Sequence, residues 1–158
     1  DFGQQRSSAS VLTWQGQRLL PQICYEDLFG EEMARYFAME DQAPTVLVNM
    51  SNLAWFGDTT APAQHAAISK MRALEFQRPV IRATNTGLTA LIDAKGEVKA
   101  ALPVFTRGAL VGEFEGRTGL TPYAHWVAQW GLLPLWLLCG AIVLVLGAFF
   151  RRAGAQAL

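Results

Sequence analysis

The chain has 158 residues, 13 basic and 13 acidic side chains and no formal net charge, so it has no basic excess to neutralise phosphates, which argues against nucleic-acid binding. Its length suits one domain or a piece of one, and its two cysteines, Cys24 and Cys139, exclude a disulfide-rich scaffold. Apolar residues make up 51% of the chain but are unevenly spread: they fill 16 of the 20 positions from Gly131 to Phe150, which divides the sequence into a globular portion and a hydrophobic tail.

Asp1 to Arg6 is polar and lacks a starting Met, so the sequence does not open on a removable signal peptide and reads as the C-terminal part of something longer. Leu19 to Tyr25 is an apolar run that predicts a short buried strand. Gly30-Glu31-Glu32 then opens a helical pattern, with Met33, Tyr36, Phe37 and Glu40 at i, i+3, i+4 and i+7 and acids in the first turn where the helix dipole favours them. After the turn Asp41 to Pro44, the β-branched run Thr45 to Met50 predicts a strand buried on both faces, and Ser51 to Thr60 a loop. Pro62 starts the next helix, with Ala67, Ile68, Met71 and Leu74 inward, and Pro79 ends it. Short strands follow at Val80 to Ala83, Thr89 to Ile92 and Val98 to Leu102, the last two joined by the turn Asp93 to Gly96, and a final strand is predicted at Leu110 to Phe114. The order β-α-β-α followed by a meander argues for a layered α/β fold.

From Thr118 to Phe150 the sequence has no Asp, Glu, Lys or Arg, and Arg151-Arg152 follows at once. About 20 helical residues rise roughly 30 Å, enough to cross a bilayer, with Trp126, Trp130 and Trp136 at one headgroup layer and the arginines at the other. The expected organisation is a globular portion over 1–117, a linker or interfacial segment over 118–130, one transmembrane helix over 131–150 and a cytoplasmic tail over 151–158. Cys24 and Cys139 fall in different compartments on this reading and are expected to be free thiols.

Phosphate loops, CxxC pairs, HExxH and GxSxG are absent, and neither His65 nor His125 has a metal-ligand partner at a usable spacing. No metal or cofactor is expected. Cys24 stands at the carboxyl end of a predicted strand beside Tyr25-Glu26-Asp27, the functional edge of layered α/β proteins, where a thiol finds backbone N–H groups for an oxyanion; an inert buried cysteine is the alternative. Trp55 and Phe56 lie in a predicted loop and either plug the domain or line an apolar pocket. Arg72 and Glu75, three apart, suit a structural ion pair.

The segments Ile23-Cys24-Tyr25-Glu26, Asn49 to Gly57, Gln64-His65, Met71 to Glu75, Arg78-Pro79, Arg82 to Gly87 and Thr118 to Tyr123 come in a familiar order. Together they resemble the C-terminal part of the apolipoprotein N-acyltransferase family, membrane-anchored members of the nitrilase superfamily, from about Phe2 to Arg152. The resemblance implies the C-terminal part of a nitrilase-like αββα sandwich followed by one transmembrane helix, in the bacterial inner membrane with the catalytic domain facing the periplasm. It implies transfer of an acyl chain from a phospholipid donor to the N-terminal amine of a diacylglyceryl-cysteine lipoprotein through a thioester on Cys24. Tyr25 and Glu26 match positions that support the oxyanion and the site, while Asn52, Trp55, Phe56 and His65 are candidates for the substrate pocket. The superfamily also uses a glutamate base and a lysine far upstream of the cysteine, and no Glu or Lys precedes Cys24 here, so no triad partner is carried over. Leu53 stands where the family often has an acid.

Half a sandwich leaves apolar sheet surface uncovered, so the isolated chain is expected to be inactive. Three other readings remain open: a membrane-tethered nitrilase-type amidase using the same cysteine, a Cys-His-Asn hydrolase built from Cys24, His65 and one of Asn49, Asn52 or Asn85, and an inactive membrane-anchored binding domain.

Overall fold

The computed structural model describes residues 11–155, with side chains through residue 149. The N-terminal end of the expected globular portion lies outside them, as do the side chains of Arg151 and Arg152 and the end of the tail. One six-stranded mixed sheet organises the rest. Strands β1 (Leu12–Trp14), β2 (Gln17–Ile23), β3 (Val46–Ser51), β4 (Val80–Thr84), β5 (Ala90–Ile92) and β6 (Val98–Ala101) lie in chain order across it. The central pairs β2–β3 and β3–β4 are parallel and the outer pairs antiparallel. Parallel neighbours need a crossover, which the chain supplies with helix α1 (Gly30–Ala34) and helix α2 (Ala61–Phe76).

The sheet's pleat sorts its side chains. The row Leu20, Leu47, Val80 and Ile92 is in register across four strands and packs against Met33, Phe37, Ala73 and Phe76, forming the core between sheet and helices. Phe37 stacks on Phe76 at 4.5 Å between centroids. One step further along the strands the same face carries Gln22, Asn49, Arg82 and Ala90, a polar row inside the domain. On the opposite face Ile23 and Met50 are exposed, and no described helix covers them.

Helix α2 carries Pro at its start and ends on Gln77, whose left-handed backbone (φ 48°) closes the last turn onto Ala73. Arg78 then threads the core. Its guanidinium donates to Pro44 O at 2.6 Å, to Phe76 O at 3.0 Å and to Gly119 O, and lies over the Phe37 ring. Burial lowers its pKa to about 10, which still leaves it charged at neutral pH.

The structure corrects several expectations. The segment Leu110 to Phe114 is not a strand: it makes no ladder pairing, although Gly112 lies close enough to the Leu91 side chain that a Cβ there would clash. The predicted helix from Gly30 to Glu40 stops as an α-helix at Ala34, with a 3₁₀ turn over Arg35–Phe37. Strand β2 ends at Ile23, so Cys24 opens the following turn rather than closing the strand. Strand β1, three exposed residues, alternates apolar and polar (Leu12, Thr13, Trp14) but is too short to be predicted from that pattern.

The span expected to be a linker holds helix α3 (Pro122–Trp130), capped by Thr121, whose hydroxyl accepts from the Ala124 N–H at 3.0 Å. Ala124 and Val127 face the core. Gly131, left-handed at φ 56°, ends α3, and helix α4 (Leu133–Ala155) departs from it with its apolar side chains exposed. Among the described residues no single helix is long and apolar enough to cross a membrane. The expected transmembrane helix is therefore met only in part, by α3 and α4 as a pair bent by 87° that together have the length and composition of a span.

Candidate active site

Cys24 follows the carboxyl end of β2 and begins a 3₁₀ turn over Cys24–Leu28. Its φ of 54° is left-handed, a conformation that L-residues adopt at a cost of roughly 1–2 kcal/mol, and its side chain is partly exposed and unpaired with Cys139. The junction places Cys24 at the carboxyl end of β2, at the rim of the sheet. Glu26 braces the junction by accepting from the Ile23 N–H at 2.6 Å, so its carboxylate is occupied with the backbone of the turn.

Tyr25 is half-exposed, and its ring meets Phe56 edge-on at 6.1 Å and His65 at 5.1 Å. The two aromatics of the loop after β3 behave differently. Phe56 packs against Tyr25, whereas Trp55 is 76% exposed, anchored by its indole N–H to Asn52 O at 2.7 Å. Asn52 accepts from Asn85 Nδ2 at 2.7 Å and Asn85 accepts from the Leu53 N–H at 2.9 Å, so two amides bind the loop after β3 to the loop after β4. Leu53 is fully buried beneath them and touches the Gly87 backbone, which explains an apolar side chain there. Met50, Ser51, Asn52, Ala83, Thr84 and Asn85 floor an open depression of about 540 Å³ at the carboxyl ends of β3 and β4.

Beneath the turn lies a buried polar chain. Arg82, with no exposed side-chain surface, donates to Ser69 Oγ at 2.6 Å, to Asn49 Oδ1 at 3.3 Å and to Leu88 O at 3.1 Å, and its second terminal nitrogen lies 2.8 Å from His65 Nδ1. Ser69 donates to Asp27 Oδ2 at 2.6 Å, and that oxygen lies 3.8 Å from Arg82. Since a guanidinium only donates, His65 Nδ1 is the acceptor and its proton sits on Nε2. Burial and then the Arg82 charge push the His65 pKa down, holding the ring neutral. Burial raises the pKa of Asp27 against the hydrogen bond from Ser69 and the charge of Arg82.

Of the residues singled out from sequence, Cys24, Tyr25, Glu26, Phe56 and His65 share one neighbourhood, with His65 underneath Tyr25 rather than on the open floor; Asn52 lies on that floor and Trp55 beside it. Arg72 and Glu75 pair at 2.8 Å on α2, as their spacing suggested. The buried residues Asp27, Ser69 and Arg82 escaped the sequence reading, although Arg82 inside the run Val80 to Thr84 and Asn49 inside Val46 to Ser51 are polar residues in strands otherwise built for burial, a signal that was there to use. Among the described residues no three His, Cys, Asp or Glu side chains converge as metal ligands.

Comparison with known proteins agrees with this geometry. Residues 2–123 match the carbon-nitrogen hydrolase family. The chain is 54% identical over 139 residues to the apolipoprotein N-acyltransferase of Verminephrobacter eiseniae, covering 84% of this chain and 26% of that protein. It is 52% identical over 143 residues to that of Ralstonia nicotianae (89% and 26%) and 42% identical over 158 residues to that of Azotobacter vinelandii (99% and 28%). The chain thus spans about a quarter of the length of the curated relatives it matches. With a family match over most of its length and a strained, partly exposed cysteine at the rim of a mixed sheet, the chain belongs to the carbon-nitrogen hydrolase family.

Proposed function

We propose that this chain carries the nucleophile of an apolipoprotein N-acyltransferase and acts on two lipid substrates at a membrane surface. The observation that carries the reading is Cys24 itself, partly exposed in a left-handed turn beside a wide depression, in the same chain as a helix whose apolar side chains are exposed. The relatives' names supply the reaction.

The Cys24 thiolate attacks the ester carbonyl of a phospholipid, and backbone N–H groups of the turn, Tyr25 first, stabilise the tetrahedral oxyanion. The carbon–oxygen bond breaks, the lysophospholipid leaves with a proton, and the acyl chain stays on sulfur. The N-terminal amine of a diacylglyceryl-cysteine lipoprotein then attacks the thioester, forming the amide and returning the thiol. Glu26 serves the turn, Tyr25 and Phe56 wall the approach, and exposed Trp55 borders the path of the acyl chain. No residue of this chain is assigned as the general base or as an oxyanion cation. The second sheet of the sandwich covers the open face that carries Ile23 and Met50. The bent pair of α3 and α4 holds the domain against the inner membrane on its periplasmic side.

A small-amide hydrolase would use the same cysteine, and the relatives' names favour the transferase. The test replaces the matching segment of the Verminephrobacter eiseniae relative with this chain and follows acyl transfer from phospholipid to a diacylglyceryl-cysteine peptide by mass spectrometry. The chimera is expected to form the triacylated peptide and its Cys24→Ser form to make none. Ammonia release from small amides with no peptide acylation would overturn the reading in favour of the amidase.

A further inference from the structure

We propose that Asn49 is a positioning residue that holds Cys24 in its left-handed backbone conformation, with Arg82 and Ser51 fixing the direction of its amide. Asn49 Nδ2 donates to the nucleophile's carbonyl, Cys24 O, at 3.0 Å, across 25 residues of sequence, and the His65 ring faces the same carbonyl. The amide has no freedom to turn over. Its oxygen receives the Ser51 hydroxyl at 2.5 Å and an Arg82 N–H at 3.3 Å, and since the guanidinium has no acceptor and a carbonyl no donor, only one orientation satisfies all three neighbours.

The register explains why this arrangement is rigid. Asn49 and Arg82 are directly opposite on β3 and β4, both essentially inaccessible to solvent, so neither side chain has room for another rotamer. Arg82 also reaches the far end of the turn through Ser69 and Asp27. One guanidinium thereby fixes both ends of the five-residue turn, Cys24 through Asn49 and Asp27 through Ser69. A left-handed backbone is disfavoured at a non-glycine residue by roughly tenfold or more in population. Without the tie to its carbonyl, Cys24 returns to the right-handed or extended region, and its sulfur leaves the position in which the turn's N–H groups face an attacked carbonyl.

The experiment reads the thiol's chemistry without the lipid substrates, so its outcome is separate from that of the proposed function. In the chimera, with every cysteine but Cys24 replaced by serine and the protein held in detergent micelles, p-nitrophenyl acetate is added. The Cys24 sulfur takes the acetyl group, p-nitrophenolate leaves, the thiol proton passes to buffer, and the burst of colour gives both a rate constant and an amplitude. Asn49→Asp, which keeps the shape but turns an acceptor toward the Cys24 carbonyl, is expected to slow the burst about tenfold at unchanged amplitude. Ser51→Ala, a milder change that removes one of the two donors to Asn49, is expected to slow it two- to threefold and decides the matter if Asn49→Asp does not fold. A purely structural role would reduce the amplitude, the fraction of competent chains, and leave the rate constant alone. That pattern, or rate constants within about 1.5-fold of the parent in every folded variant, would overturn the proposal.

Discussion

Replacing Arg82 with Met removes the cation nearest Asp27 beneath the nucleophile turn, and the structure shows what is left behind. Asp27 keeps its Ser69 hydrogen bond but loses the charge 3.8 Å away, while its other oxygen, already without a hydrogen-bond partner, stays buried. Leu88 O and His65 Nδ1 lose their donor, and Asn49 Oδ1 keeps only Ser51. Breaking a buried charge pair from one side costs about 3–5 kcal/mol, far more than the net worth of the pair. Urea unfolding of the micelle-bound chain, followed by tryptophan fluorescence, should show the midpoint of Arg82→Met displaced by that amount at constant slope. The loss should shrink as pH falls, because burial already raises the Asp27 pKa and, without the guanidinium, protonation relieves the stranded carboxylate. The double variant Asp27→Asn with Arg82→Met should be more stable than Arg82→Met alone. A loss below about 1 kcal/mol, or no recovery in the double variant, would refute the reasoning that charge compensation holds this turn.

Three further outcomes follow from the same interior. His65 has a folded-state pKa below its ordinary value, so the folded chain binds fewer protons than the unfolded chain as pH drops through about 6.5; stability should fall over that window, and His65→Gln should flatten the slope in thermal melts taken at a series of pH values. Leu53→Asp, which restores the acid common in the family, should destabilise the chain by about 3 kcal/mol in urea titrations, because the side chain is fully buried against Gly87 and nothing described there compensates a charge. Trp55→Ala should change stability by less than about 0.5 kcal/mol, since the ring is largely exposed, yet raise KM for phospholipid severalfold in the chimera's transfer assay; an unaltered KM would remove Trp55 from the acyl path.

Much of this architecture is legible in the residues because burial leaves a pattern. The apolar run from Leu19, the β-branched run Val46–Val48 and the helix opened by Pro62 appear where their composition puts them, but the helix turns Ala66, Ala73 and Phe76 inward and leaves Met71 and Leu74, expected to face the core, exposed. What escaped was decided by long-range geometry. Leu110 to Phe114 reads as a strand yet makes no ladder pairing, and the helix over Pro122–Trp130 is invisible to a reading that sees only an uncharged stretch after residue 117, although Thr121-Pro122 is a capping signal. The site divides along the same line. Cys24, Tyr25 and the aromatic loop are adjacent in sequence to the strand ends that present them. The row Gln22, Asn49 and Arg82 exists only once two parallel strands fall into register, and Asp27 and Ser69 join it from separate elements 42 residues apart.

The central claim, that Cys24 carries an acyl group between two lipids, is tested most directly by intact and peptide mass spectrometry of the chimera after exposure to phospholipid without acceptor. The account predicts one added acyl chain, mapped to the peptide containing Cys24, removed by neutral hydroxylamine and missing from Cys24→Ser. An acyl group resistant to hydroxylamine, or one carried on any other residue while Cys24 stays free, would contradict it.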